Sequence, residues 1–491
     1  MHRICMTVVG WLTWMTWALV MATPHAIEQP PNIVWIMADD LGWGEVELFP
    51  GDSKHGRLAT PNLNKFGQEG TIFTQAYAGY TVCAPSRTTL FTGRHSGQFI
   101  KYGFDGQNLY HNQAHVRTAA QMLREAGYRT AAFGKTAPFQ TPDSIAPLGF
   151  DHFKGQLSQL FCHNMYPIYY DYLPETGGST GPNISQAFVA ENNVTAKSRE
   201  ACMANPSAFN YSIDFFQDSA LSWLDTYGAA PDKPFFLYVS YTIPHAGGWG
   251  SAPQAPENGA PVPSDGQYAN RTGDWPTVEV DHAAVVTYLD ARVGDILSKL
   301  QGLGIDNRTL VFFASDNGAH NEGGHDHTFF NSTGGLRGFK RSLYEGGVRT
   351  PAMARWPGRV PAGRVSNYSW AFWDFMPTVG DLVNGSWPSD IDGISILPEL
   401  LGQEQAPKDY LFFTWGSGAK SGYGVRSGEW KGVVQTCNKN LQPSEEDSME
   451  LYHLPSDPFE TNDVSQTHAD VVTQLKALIL PKNLSCTCFQ C

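Results

Sequence analysis

Four apolar runs of strand length, each breaking off into polar side chains, constrain the fold of this chain more than any other feature. The first is Asn32-Ile33-Val34-Trp35-Ile36-Met37-Ala38, followed at once by Asp39-Asp40. Arg129-Thr130-Ala131-Ala132-Phe133 ends in Gly134-Lys135, residues 234–241 lead into Thr242-Ile243-Pro244-His245, and residues 309–314 end in Ser315-Asp316-Asn317-Gly318. A run without polar alternation is apolar on both faces, as a strand must be in a parallel sheet covered by helices. Helical patterns lie between these runs, at 61–67, 117–126 and 282–300, with another starting at Ser212, read as an N-cap, and reaching Leu224. Strands alternating with helices give an α/β domain, in which ligands sit beyond the carboxyl ends of the strands. Asp39, Asp40, Lys135, His245, Asp316 and Asn317 are thereby predicted to share one rim.

After Leu401 the texture changes. Short strand-like pieces at 410–415, 422–426, 430–435 and 450–454, then a helix at 469–478, predict a small antiparallel α+β domain. The expected organisation is a signal segment 1–26, a catalytic domain 27–402 and a C-terminal domain 403–491. Residues 171–210 are polar and interrupted, a surface excursion, and 247–276 form a long Pro/Gly/Asn-rich loop of the kind found at functional rims.

The signal expectation rests on Arg3, the apolar run Val8 to Val20 and small residues near Ala22 and Ala26. Such a run is short for a membrane span, and no later segment resembles one, so no span is expected after signal removal. Sequons at Asn183, Asn193, Asn210, Asn270, Asn307, Asn331, Asn367, Asn384 and Asn483 suit a secreted or lysosomal glycoprotein. Apart from Cys5 and Cys83, six cysteines remain (Cys162, Cys202, Cys437, Cys486, Cys488, Cys491), expected to form disulfides in an oxidising compartment. A net charge of −14 argues against a nucleic-acid partner, so an anionic substrate requires a local cationic pocket.

Such a pocket is predicted around Cys83-Ala84-Pro85-Ser86-Arg87, with Cys83 just ahead of a short helix, Pro85 near its first position and Gly93 as its stop. Free N–H groups at the helix front and the Arg87 guanidinium favour an anion there. Asp39, Asp40, Asp316 and Asn317 are hard oxygen donors, a set for Ca²⁺ or Mg²⁺ rather than zinc. Without a dication three adjacent carboxylates repel one another. Lys135, and Lys340 in Gly334-Gly335-Leu336-Arg337-Gly338-Phe339-Lys340, are further candidate oxyanion holders. His245 suits general-acid work through a near-neutral pKa. His320, His325 and His327 are read as a polar pocket wall or plain surface.

Cys83-x-Pro85-Ser86-Arg87-x4-Thr92-Gly93 resembles the signature of the formylglycine-dependent sulfatases of the alkaline-phosphatase-like superfamily. Similarity continues through the Asp39-Asp40 strand, Ser315-Asp316-Asn317-Gly318, Leu336-Arg337-Gly338-x-Lys340, Tyr344-Glu345-Gly346-Gly347-Val348-Arg349-x-Pro351, and Arg426, Gly428, Trp430-Lys431, Leu451-Tyr452 and Asp457-Pro458 near the C-terminus. The resemblance implies a large mixed, mostly parallel sheet with a small C-terminal domain. It further implies hydrolysis of sulfate monoesters on a carbohydrate, aryl or other small-molecule substrate. A formylglycine-generating enzyme would oxidise Cys83 to formylglycine, whose hydrate attacks sulfur. One Ca²⁺ (or Mg²⁺) would be bound by Asp39, Asp40, Asp316, Asn317 and residue 83, and Arg87, Lys135, His245 and Lys340 would serve catalysis. Where the family commonly has Gly-Lys-Trp-His, this chain has Gly134-Lys135-Thr136-Ala137, and His163 is expected to take the missing histidine's place. The rival readings are a phosphomonoester or phosphonate hydrolase, and a catalytically silent sulfated-glycan binding protein.

Overall fold

The computed structural model describes residues 29–102, 117–140, 144–159, 161–174, 184–194, 198–230, 232–249, 259–416, 420–437 and 440–486. The expected signal segment, Cys488 and Cys491 lie outside the described residues. In chain order the strands of the unit beginning at Pro31 are β1 (Asn32–Asp39), β2 (Thr71–Phe73), β3 (Ala76–Tyr77), β4 (Arg129–Lys135), β5 (His152–Gln156), β6 (Tyr169–Tyr172), β7 (Ser185–Phe188), β8 (Phe235–Pro244) and β9 (Thr309–Ser315). They continue with β10 (Ala352–Arg355), β11 (Arg364–Ser366), β12 (Trp370–Ala371), β13 (Leu411–Trp415), β14 (Gly422–Ser427), β15 (Trp430–Val434) and β16 (Glu450–His453). Ten strands form one sheet in the order β11-β2-β10-β9-β1-β8-β4-β5-β6-β7. Its middle, β9-β1-β8-β4-β5, is parallel; β10 pairs antiparallel with β9 and β2, and β6 with β5 and β7. The mixed, mostly parallel α/β fold is thus as expected.

Both faces of the central strands are buried, which explains their unbroken apolar runs. Val34, Ile36, Leu237, Val239, Val311 and Phe313 share one core with Ile213, Phe216 and Ala220 of the Ser212–Trp223 helix and with Val285, Leu289 and Ile296 of the Thr277–Gly302 helix. On the opposite face Trp35 packs its ring on Phe312 (5.1 Å between centroids) and Phe375 (4.7 Å), and Phe91 of the Cys83–Thr92 helix meets Tyr238. Each such side chain contributes about 1.5–3 kcal/mol when fully buried, so the centre of the sheet is the rigid part to which the rim is attached. Ser212 is not the N-cap expected; Tyr211 holds that position and Ser212 is the first helical residue, buried. The polar excursion contains β6, β7 and the Arg199–Ala204 helix, so part of it belongs to the sheet edge.

The antiparallel sheet β13-β14-β15-β16, with the Ala469–Ile479 helix against it, docks through a buried charged cluster. Lys431 of β15 places its Nζ 2.9 Å from Glu345 Oε1 and 2.9 Å from Glu460 Oε1. The Glu345 amide donates to Glu460 Oε2 (2.6 Å), Tyr77 of β3 donates to Glu345 Oε2 (2.7 Å), and Arg426 of β14 donates to Tyr77. Burial would raise Glu345, but Lys431 and then Arg349 bring it down to about 2; Glu460 is pushed up to about 7 by burial, against Lys431, with the Glu345 charge adding to the rise. Cys437–Cys486 closes a 49-residue loop in this part. Cys162 and Cys202 are both buried in the larger layer, and Cys162 Sγ donates to the Gln159 carbonyl.

Candidate active site

β1 delivers the centre of the site. Its register against β8 shifts between Met37 and Asp39, and Asp40 follows in the left-handed region at φ 66°, a conformation costly for a non-glycine residue and sustained here by its surroundings. The Asp40 amide donates to Asp316 Oδ1 (3.1 Å) and Asn317 Nδ2 donates to Asp40 Oδ1 (2.6 Å), so the ends of β1 and β9 are tied together. β4 adds Lys135 after Gly134, whose φ of 100° and position 2.0 Å (as a Cβ) from the Ser240 carbonyl exclude any side chain. Lys135 Nζ donates to Asp39 Oδ2 (2.6 Å).

The Cys83–Thr92 helix points its first turn at this rim, with Cys83 as its first residue rather than just ahead of it. Cys83 Sγ, Asp39 and Asp316 present ligand atoms within 4.8 Å of one another, as do Asp39, Asp40 and His245. Arg87 lies fully buried behind them. Its Nε and Nη2 reach Asp316 Oδ2 at 2.8 and 2.7 Å, and its Nη1 donates to Ser240 Oγ (2.6 Å) and the Lys135 carbonyl (3.1 Å). Arg87 therefore ties β9, β8 and β4 together from beneath.

Lys340 closes the opposite side. Its Nζ donates to Asp40 Oδ2 (2.8 Å), His245 Nε2 (2.9 Å) and Glu322 Oε2 (2.7 Å). His245 Nδ1 donates to the Ala246 carbonyl (2.6 Å), which turns Nε2 towards Lys340 as an acceptor. Burial, then His163 and Lys340, hold His245 well below the ordinary histidine range, so it is a neutral imidazole at neutral pH and not the near-neutral titrator expected. His163, from a short turn at Phe161–His163, stacks on His245 (3.9 Å between centroids) with Nε2 3.2 Å from Lys135 Nζ. Residue 137 is far from filling that role; Ala137 is buried and apolar.

Two further side chains join the site without a recognised signal. Gln159 Nε2 donates to Cys83 Sγ (2.9 Å), and Glu322 bridges Lys340 and Arg341. Glu322 lies five residues beyond Asn317 in the same loop, a proximity that offered the one sequence clue to it. Plain surface does not describe His320 or His325, both buried: His325 Nδ1 binds Glu279 Oε2 (2.7 Å) and stacks on His282, whose Nε2 binds Glu45 Oε1 (2.5 Å).

The carboxylates fit a cation. Burial pushes Asp40 up to about 7, against Lys340 and with the Asp39 charge adding to the rise; burial and the Asp39 charge likewise push Asp316 up to about 6, against Arg87 and Lys135. Asp39 is held below the usual carboxylate range: burial acts to raise it, but Lys135 and Arg87 prevail. Asp39 Oδ1 and Asn317 Oδ1 are buried with no hydrogen-bond partner among the described residues, two oxygens that a hard dication would satisfy.

The sulfatase family pattern matches residues 31–386, and the pattern for the C-terminal part of N-sulphoglucosamine sulphohydrolase matches residues 335–483. The dog N-acetylgalactosamine-6-sulfatase is 31% identical over 415 residues, covering 78% of this chain and 69% of that protein. Human arylsulfatase A is 28% identical over 506 residues, covering 94% and 90% respectively. A solved Bacteroides thetaiotaomicron structure, described under the metabolism of multiple glycosaminoglycans, superposes with a TM-score of 0.69 at 22% identity over 93% of this chain and 99% of that one. With its rim of carboxylates, cations and Cys83 on a mixed, mostly parallel ten-stranded sheet, the chain belongs to the sulfatase family, the sulfuric ester hydrolases.

Proposed function

We propose that this protein hydrolyses sulfate monoesters on sulfated glycans, with residue 83 converted to formylglycine and one Ca²⁺ (or Mg²⁺) at the rim. The observation that carries the reading is the convergence of Cys83, Asp39 and Asp316 at the front of one helix, enclosed by Arg87, Lys135, Lys340 and His245. The glycan preference is supported by the relatives named for N-acetylgalactosamine-6-sulfate. Burial raises the Cys83 thiol, against Lys135, so the unmodified side chain is a protonated thiol and a poor nucleophile.

Asp39, Asp40, Asp316, Asn317 and residue 83 would hold the cation, which would supply Lewis-acid stabilisation of charge on the transferring group. Formylglycine would supply a hydrated aldehyde as nucleophile and release route for sulfate. The chain's own groups divide the remaining work. Lys135 and Lys340, both held protonated by neighbouring carboxylates, bind sulfate oxygens; Arg87 keeps the strand ends in register. Nε2 of neutral His245 carries no proton in the tautomer that the Ala246 carbonyl fixes, so His245 orients Lys340, and the proton for the leaving alcohol would come from Lys340 Nζ. His163, with Nε2 3.2 Å from Lys135 Nζ, would take the role of the family histidine that Ala137 replaces. Maturation by a formylglycine-generating enzyme and passage through the secretory route to secretion or a lysosome agree with the Cys437–Cys486 disulfide and with the exposed sequon asparagines Asn193, Asn270, Asn307, Asn367, Asn384 and Asn483.

Mass spectrometry of the peptide containing residue 83, from protein secreted by a cell carrying the maturation enzyme, tests the nucleophile. Loss of the thiol in favour of an aldehyde is expected, and a thiol throughout overturns it. Paired turnover of an aryl sulfate and an aryl phosphate separates the sulfatase from a phosphoester or phosphonate hydrolase, and absence of both, with the aldehyde present, favours a silent glycan-binding protein.

A further inference from the structure

Lys340 has three N–H donors, and in this structure all three are spent on protein: Asp40 Oδ2, His245 Nε2 and Glu322 Oε2. A sulfate oxygen can gain a hydrogen bond from this lysine only by displacing one of them. Asp40 is fully buried, tied to Asn317 and to the end of β9. His245 is 2% exposed, fixed through Nδ1 and stacked on His163. Glu322 differs from both. Its side chain is 18% exposed, and its second oxygen already rests on Arg341, which is 49% exposed and offers the carboxylate an anchor away from Lys340.

A carboxylate at this place is otherwise hard to explain. It adds a negative charge at the mouth of a site that must admit an anion, where like charges disfavour one another. The same carboxylate occupies the donor that the substrate anion needs. We infer that Glu322 is a displaceable stand-in for the substrate's sulfate: it occupies the third donor of Lys340 when the site is empty, moves onto Arg341 when sulfate binds, and returns to expel inorganic sulfate after turnover. Glu322 is on this reading a positioning residue that acts through Lys340, and the inference rests on the proposed role of Lys340 as a sulfate holder.

The test uses the full-length matured enzyme, inorganic sulfate as probe, and competition against aryl sulfate turnover. Glu322→Gln keeps the side chain's size and removes its charge; Glu322→Ala removes the bridge altogether. Both are expected to lower the inhibition constant of sulfate about tenfold and to lower KM, with kcat unchanged or reduced as product release slows. General damage to the site weakens anion binding, so tightening is a result that a merely structural role does not produce. A sulfate inhibition constant unchanged or raised in both variants overturns the inference. In a Lys340→Met background the Glu322→Gln substitution is expected to tighten sulfate only by the small amount that loss of a nearby negative charge gives; tightening as large there as in the parent enzyme overturns the inference as well. Failure of the underlying reading is visible separately, because Lys340→Met alone would then bind sulfate as well as the parent enzyme.

Discussion

Lys431 holds two buried carboxylates together where the small sheet meets the loop that carries Lys340, and its removal has a calculable cost. Replacement by Met keeps most of the volume and deletes the charge 2.9 Å from Glu345 Oε1 and 2.9 Å from Glu460 Oε1, where all three side chains are 0–1% exposed. Breaking a buried ion pair from one side costs about 3–5 kcal/mol. The loss depends on pH in a definite direction. Glu345, lowered to about 2, contributes stability that is present above its unfolded pKa and lost as pH falls through about 2. Glu460, raised to about 7, contributes stability that is full below its unfolded pKa and lost as pH rises through about 7. In Lys431→Met the two carboxylates lose the cation they share, Arg349 remaining beside Glu345 only, so the penalty is greatest above about pH 7 and falls by roughly 1–2 kcal/mol near pH 5, where Glu460 takes a proton. Denaturant melts of parent and variant at about pH 5 and about pH 7.5 measure both numbers. Glu460→Gln added to Lys431→Met should recover part of the loss at the higher pH. A loss below about 1 kcal/mol, or one equal at the two pH values, refutes the account.

Other outcomes follow from the same geometry. His163→Ala should slow turnover of a cleavable sulfate ester by about 10²-fold or more with little change in thermal stability; unchanged turnover removes His163 from the site. Calcium affinity, followed by titration calorimetry, should fall by roughly tenfold per pH unit as pH drops from about 7 towards 6, because Asp40 and Asp316, at about 7 and about 6 without metal, must both lose protons to bind it; affinity flat over that range contradicts the assignment. Cys437→Ser should cost about 4 kcal/mol from the 49-residue loop it opens, read as an unfolding midpoint that shifts on reduction of the parent but not of the variant.

The parts of the fold legible in the sequence are those where the physics is local and repeated. β1, β4, β8 and β9 declare themselves because burial on two faces requires unbroken apolar residues, and their polar ends mark the rim without any knowledge of pairing order. β2, β3, β10, β11 and β12 are two to four residues long, too short for a period to register; β10 adds to the edge of β9 and carries β2 and β11 beyond it, while β3 and β12 pair with one another. The same contrast holds in the site. Asp39, Asp40, Asp316 and Asn317 follow from strand ends, whereas Gln159 and Glu322 reach the centre from irregular loops whose path depends on tertiary packing. Burial also reversed one chemical expectation: His245 reads as a near-neutral acid from its residue type, yet enclosure beside His163 and Lys340 keeps it neutral. The cysteine count pointed to disulfides, of which Cys437–Cys486 is one; what it could not give is position, with Cys202 in the apolar core and Cys162 donating to a backbone carbonyl.

The central position of β1 sets a clock. Arg87, four residues past Cys83, finds its main partner Asp316 only 229 residues later in the chain, and Lys340 comes later still. At a synthesis rate of about 5–20 residues per second, roughly 10–50 s separate the appearance of the Cys83 segment from that of the strand that locks it in place. In the finished molecule Cys83 is 6% exposed and covered by Gln159. If residue 83 is converted as proposed, the modifying enzyme would therefore have its opportunity while the chain is still arriving, before β9 closes against β1.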